Sequence, residues 1–498
     1  MKKGYTAMGF LILYGILTLI SPMTVQSEPT ARASESTANP PALSPDLEDV
    51  ISGFNDNNDT FVYEQSDDDA SATKAWDISG KFTLAAVYNI SHEAPAPGQT
   101  DFRGLSRLRP ELCLNLEVDL ADTWYCKIGG RGFHDFAYAI QGRNDFTDQV
   151  LDEYENEIEL TETYIEGAIT PSLNLKIGRQ IVVWGNTENF RVTDILNPVD
   201  NRDPGMVDIE DLRLPTGMAR LTYYNRSCNL SFIAVPEIRF DKQPVMGNDF
   251  YPFDRPLPPE DKPADSLKNI ETAMALKGIF HGWDMTLYGA FFFNDESHFE
   301  TIGSRETVVG QTPLPDGDMA PVIALVPIYR RRHARLSMTG FSVNVARGSW
   351  LFKSEAAFTG GLKFNTTDDE KCRLKGLVGF EYSGFTDTLV VLELVQTHLF
   401  DYQDRMGDAP DYADENRFEA AFRISRNLYH DRLELMLLAI AMGNKARDGA
   451  FERLTAEYEL TDALTIKAGG VFYQDGESIM YDNIHDNNRF FVNLEYTF

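Results

Sequence analysis

Little in this sequence offers covalent or metal chemistry. Four cysteines and eight histidines are spread over 498 residues, and no Cys-x-x-Cys-His run occurs, so covalent haem attachment is excluded. No phosphate-binding glycine loop is present. Asp56-Asn57-Asn58-Asp59-Thr60 opens like a calcium loop but lacks its glycine and distal glutamate. The histidines, His92, His134, His281, His298, His333, His398, His430 and His485, are scattered, and none sits in a hydrolase motif. No enzyme activity, cofactor or metal is therefore expected. A membrane-embedded hydrolase is the remote alternative.

Basic charge is scarce as well. Lys and Arg number 45 against 76 Asp and Glu, a net charge of −31, which excludes nucleic acid as a natural partner. From Asp46 to Asp69 there are nine acidic residues and no basic one. Such a run reads as a solvated tail, with cation or partner binding as the other possibility.

Long apolar runs are missing beyond the first residues. Met1-Lys2-Lys3, the apolar stretch Phe10 to Leu17 and the small residues around Val25-Gln26-Ser27 predict a secretory signal peptide over 1–27. Cleavage is expected after Ser27, with Ala33 as a second candidate. The apolar core is shorter than the ~20 residues of a spanning helix. Without Lys2 and Lys3 the chain carries 43 basic residues and a charge of about −33. An acidic, largely disordered periplasmic segment is predicted over 28–74, and a membrane domain over 75–498.

What is present is alternation. At the end of the chain, Phe490, Val492, Leu494, Tyr496 and Phe498 alternate with Arg489, Phe491, Asn493, Glu495 and Thr497. Period two means a half-buried strand, and a terminal Phe498 looks like the signal read by the barrel-assembly machinery. In Arg107 to Leu120 the apolar set Leu108, Leu112, Leu114, Leu116, Val118 and Leu120 opposes Arg107, Arg109, Glu111, Asn115, Glu117 and Asp119. So many charges on one face cannot pack against a second sheet without large desolvation costs, whereas a wet lumen accommodates them. Trp76 to Tyr88 and Leu454 to Leu460 repeat the form.

Very short turns fall at Ala121-Asp122, Thr170-Pro171-Ser172, Asn225-Arg226-Ser227, His281-Gly282, Arg347-Gly348, Thr386-Asp387, His430-Asp431 and Thr461-Asp462. Between them lie longer connections near 91–102, 134–156, 185–215, 241–270, 294–328, 361–371, 400–415, 443–450 and 474–487. The pattern predicts an all-β, up-and-down transmembrane barrel of about 18 strands, or about 16 if one hairpin sits outside. Short turns face the periplasm and long loops face outward. Trp76, Tyr88, Trp124, Trp350, Tyr458, Tyr496 and Phe498 fit interfacial girdles facing outer-membrane lipid and lipopolysaccharide. Register puts Val118 opposite Cys126 and Cys113 near Arg131, so Cys113 and Cys126 do not bond; Cys228 and Cys372 lie on distant strands, and mostly free thiols are expected.

One region is richer than strands require: Gly178-Arg179-Gln180-Ile181-Val182-Val183-Trp184-Gly185, then Arg191 to Asp200, then Asp211-Leu212-Arg213-Leu214-Pro215. With Glu162 to Gly167 and Ile51 to Phe54, it resembles the outer-membrane barrel family catalogued as domain of unknown function 1302. The resemblance implies an outer-membrane barrel. It also implies a periplasmic or inner-membrane transport partner and lipid-like cargo.

Leu173, Leu175 and Ile177 set an outward face, so unbroken alternation points Arg179 into lipid at about 2–4 kcal/mol at mid-depth. A bulge at Gly178 is expected to turn it inward. Gln180 is then placed close to Arg220, and Arg179 and Arg220 form a basic patch on the lumen wall. Asp194, Asp200, Asp203, Asp208, Glu210 and Asp211 lie in the following loop. Folded inward, these carboxylates face arginines, with Arg107, Arg109 and Arg131 as further pore-lining candidates, and select solutes by charge. The alternative is a salt-bridge network holding a plug. A porin-like channel for small solutes is the favoured reading, the mixed and charged inward faces pointing to hydrophilic ones; a plugged docking barrel is the runner-up.

Overall fold

The structure, a computed structural model, describes residues 75–313 and 319–498. The expected signal peptide, the acidic run Asp46 to Asp69 and the Asp56 to Thr60 segment lie outside the described residues.

The first strands are β1 (Trp76–Asn89), β2 (Gly104–Ala121), β3 (Trp124–His134), β4 (Asn156–Thr170), β5 (Leu173–Gln180), β6 (Thr216–Asn225) and β7 (Cys228–Val235). After β8 (Glu260–Asp261) come β9 (Glu271–Phe280), β10 (Trp283–Phe293), β11 (His298–Pro313), β12 (Met319–Arg332), β13 (Arg335–Arg347) and β14 (Trp350–Phe364). The last are β15 (Thr367–Phe385), β16 (Thr388–Leu399), β17 (Asn416–Leu428), β18 (Leu433–Met442), β19 (Gly449–Thr461), β20 (Leu464–Gln474) and β21 (Arg489–Thr497). All but β8, β11 and β12 form one 18-stranded antiparallel sheet. Each strand pairs with its neighbour in sequence, and β21 returns to pair with β1 from Lys81↔Thr497 to Asn89↔Arg489. The sheet is a closed barrel, which leaves no edge to satisfy in a membrane.

Alternation decides which face each side chain takes. In β1, Trp76, Ile78, Phe82, Leu84 and Tyr88 are between 38% and 56% exposed although apolar, while Val87 on the other parity is buried. An apolar exterior around a closed ring is the lipid-facing band of a transmembrane barrel. No helix among the described residues is long and apolar enough to cross a membrane.

At the seam, Gly80 and Phe498 exchange both main-chain hydrogen bonds, 2.8 and 2.9 Å. A Cβ on Gly80 would stand 2.5 Å from the Phe498 ring, so glycine makes room for the terminal aromatic. The expected short turns close the hairpins where the pattern placed them, from β2–β3 to β19–β20.

Two connections differ from the expectation. The 361–371 segment is strand rather than loop: β14 reaches Phe364, β15 starts at Thr367, and only Asn365 and Thr366 turn. Register shifts around Leu362, with Gly361 at φ +96°, break the alternation and make the sequence look irregular. The Asp411 carboxylate fastens this turn, accepting the N–H groups of Asn365 and Thr366 at 2.8 Å each. Within 294–328, β11 and β12 build a long hairpin outside the barrel wall. The Arg330 to His333 run stitches it to β8 through Arg330–Asp261 at 2.6 Å and His333–Glu260 at 2.9 Å.

The four cysteines are free. Val118 pairs with Cys126 and Cys113 with Arg131, so the two thiols point to opposite faces.

Candidate functional site

The chain between β5 and β6, residues 181–215, leaves the wall and enters the lumen. Asn197, fully buried, closes its base: Nδ2 donates to the carbonyls of Gln180 and Leu214 at 3.0 Å each, and Oδ1 accepts the Val182 N–H at 2.8 Å. One amide side chain thus joins the end of β5 to the start of β6. Pro198 follows, holding Asn197 extended, and its carbonyl accepts the Leu214 N–H at 2.7 Å.

One side of the loop is apolar. Val182, Trp184, Phe190, Val192 and Leu196 are buried against inward residues of the wall, among them Ile233, Leu336, Met338 and Val395. Trp184 packs on Tyr288 with ring centroids 4.8 Å apart. The loop therefore has its own contact with the strands from β6 to β17 and does not hang free in water.

Charges fasten it elsewhere. Glu393 of β16 accepts the N–H groups of Glu188 at 2.9 Å and Asn189 at 3.0 Å. Glu355 of β14 accepts the Asn186 N–H and, at 3.1 Å, the Thr193 hydroxyl; a Cβ on Gly185 would stand 2.6 Å from that carboxylate. Arg423 of β17 donates to Glu188 at 2.8 Å, Arg453 of β19 pairs with Asp208, and Arg107 of β2 pairs with Asp203. The Tyr473 hydroxyl of β20 donates to the Pro204 carbonyl at 2.5 Å. Contacts to β2, β14, β16, β17, β19 and β20 mean that the loop bridges the lumen from wall to wall.

Asp203 shows the electrostatics of this arrangement. Burial works against its charge, yet Arg107, Arg109 and Arg489 together hold its carboxyl below the ordinary value.

The expected site residues separate into groups. Asp194 is enclosed within the loop, accepting from Trp184 N at 3.3 Å, Arg191 at 3.2 Å and Arg213 at 2.9 Å. Asp200 binds Arg202 through two contacts of 2.6 and 2.8 Å. Arg109 pairs with Asp135 at 3.2 Å, and Arg131 takes Glu157 and Glu159 at 3.2 and 3.1 Å. Asp208 reaches the wall, and Asp211 is exposed in the lumen. The side chain of Glu210 lies outside those described.

Arg179 contradicts the expectation. Both ladders run unbroken through Gly178, so Arg179 keeps the outward parity of Leu173, Leu175 and Ile177. It escapes the mid-bilayer cost because β5 ends at Gln180: Arg179 stands at the rim, paired with Glu237 and donating to the Leu160 carbonyl at 3.3 Å. Arg220 lies across from Lys176, not Gln180 or Arg179, and Lys176 is held by Glu166 at 3.3 Å. The supposed Arg179–Arg220 patch does not form.

Sequence reasoning missed Glu188, Glu355, Glu393, Arg423, Arg453 and Arg489. A signal existed for Glu393, a lone charge inside Val390-Val391-Leu392-Glu393-Leu394-Val395. Buried charges need partners, and here the partners are main-chain amides of a distant loop, which no pattern of side chains reveals.

The family described as "Protein of unknown function (DUF1302)" matches residues 55–498. This chain belongs to the DUF1302 family. No curated protein matches it. Solved structures of similar shape include OccAB1 of Acinetobacter baumannii, 10% identical, covering 85% of this chain and 96% of its own with a TM-score of 0.47. OpdK of Pseudomonas aeruginosa with vanillate has the same identity and score, covering 85% and 98%. OmpF of Salmonella typhi with daunomycin is also 10% identical, covering 85% and 97% at a score of 0.39. Likenesses this distant say nothing about what a DUF1302 barrel carries.

Proposed function

We propose that this DUF1302 protein is an outer-membrane channel for small hydrophilic solutes, narrowed and gated by the inward loop 181–215. The observation that carries the reading is the wall-to-wall attachment of the loop through Glu355, Glu393, Arg423, Arg453 and Arg107. A loop held by individual polar contacts across a wet lumen sets both the width and the charge of any path around it. The apolar exterior and the closed seam support the outer-membrane assignment, export by the amino-terminal leader being part of the same reading. Phe498 at the seam supports recognition by the barrel-assembly machinery, and lipopolysaccharide is the natural neighbour of the outward loops.

The reading is non-enzymatic. In support, the enclosed His333 stacks on Phe240 at 3.4 Å and is taken up by the Asn294 carbonyl and Glu260, with no nucleophile among those partners.

A second reading, a plugged barrel docking a periplasmic transport partner, is favoured by the apolar packing of Val182, Trp184, Phe190, Val192 and Leu196. Purified protein in planar bilayers separates the two. Discrete ion-current steps support the channel; a silent bilayer with correctly folded protein supports the plug and overturns the channel.

A further inference from the structure

A polar cavity of about 190 Å³ lies where Asp208 and Asp211 of the inward loop face the wall of β17–β20. At ~30 Å³ per water it has room for about six waters or one small solute. Asp208, Asp211, Glu434 and Glu457 line it against Arg423 and Lys467.

Most of these charges are already matched. Asp208 pairs with Arg453, Arg423 with Glu188 at 2.8 Å, and Glu457 with Lys467 at 3.1 Å. Asp211 and Glu434 have no ion pair among the described residues. Lys81 and Lys467, near enough to Asp211 to act on its charge, are themselves held by Glu495 at 3.4 Å and by Glu457 at 3.1 Å. Two carboxylates remain in excess.

Thr455 supplies the second observation. It is 7% exposed, lines the same cavity and alternates in β19 with outward residues, so it shares the lumen face of Arg453 and Glu457. Its Oγ1 has no hydrogen-bond partner. A buried hydroxyl left unmatched carries its desolvation cost until something fills the space beside it.

We infer that this cavity binds a small organic cation, an ammonium- or guanidinium-bearing solute, with Asp211 and Glu434 taking the charge and the Thr455 hydroxyl a hydrogen bond. An inorganic ion alone leaves most of the volume unfilled. That the solute is in transit rests on the channel reading; the binding itself does not.

The test uses the full chain folded in detergent, titrated calorimetrically at low salt with 1,4-diaminobutane and, as neutral isostere, 1,4-butanediol. Saturable binding of the diamine and none of the diol is expected. Losing two charge-assisted contacts in Asp211→Asn/Glu434→Gln weakens diamine binding at least about 10-fold, and Thr455→Val weakens it less. Each single variant, read the same way, covers a double variant that does not fold. Equal binding of diamine and diol, or undiminished binding by the folded carboxylate variants, overturns the proposal. In bilayers the two readings part: binding without conductance defeats the channel and keeps the site, and conductance without binding does the reverse.

Discussion

Glu393, midway along β16, accepts the main-chain N–H of Asn189 at 3.0 Å. A strand on one side of the barrel is thereby joined to a loop rooted between β5 and β6 on another. With Glu355 and Arg453 it makes the loop part of the lumen's architecture.

Asp194 is the internal brace of that loop. Its carboxylate holds Arg191 and Arg213 together, and Arg213 is buried. Asp194→Asn leaves buried guanidinium charge uncompensated, a loss of about 3–5 kcal/mol where a buried pair is broken. Hydrogen exchange over 181–215 should rise sharply while the barrel strands stay protected. Unchanged exchange in the loop contradicts this role.

The seam makes a steric prediction. Any side chain at Gly80 runs into the Phe498 ring, so Gly80→Val should lower the temperature at which the folded barrel loses its gel mobility. Gly80→Val with Phe498→Ala should recover part of the loss. If Gly80→Val alone matches the native protein, the ring does not occupy that space.

How much of this was legible follows from what each signal encodes. Alternation reports the face of a side chain, so it puts Leu112 and Arg109 on opposite sides, and the turns give the strand count. Alternation does not report depth: Arg179 looked like a charge in mid-bilayer because nothing local shows that β5 stops one residue later. At Leu362 the bulges erased the period itself. The six loop acids point to the right segment, yet three of them, Asp194, Asp200 and Asp203, are engaged by arginines that lie either in the loop or on β2: Arg191 and Arg213, Arg202, and Arg107 in turn. Partner choice is set by tertiary closure, which neither spacing nor composition contains.

Glu260 gives a pH dependence. The hydrogen bond with His333 is the largest influence on its carboxyl, burial opposes it, and Arg331 and Lys262 assist, leaving it at about 2. An unfolded glutamate titrates near ~4.3, so the folded state binds this proton less readily. The stabilisation is full above about pH 4.3 and disappears as pH falls through the folded value. Protease accessibility of the β11–β12 hairpin should therefore increase between about pH 4 and pH 2, and Glu260→Gln should flatten that dependence. A pH response identical in both proteins rules out this carboxylate as its source.

The most direct test of the account is single-channel conductance in planar bilayers, comparing the native chain with one in which residues 186–212 are replaced by a short glycine–serine linker. If the loop spans and narrows the path, the native protein conducts in small steps and the shortened one conducts several-fold more, with altered ion selectivity. Equal conductance and selectivity in two folded barrels would contradict the claim that this loop forms the constriction.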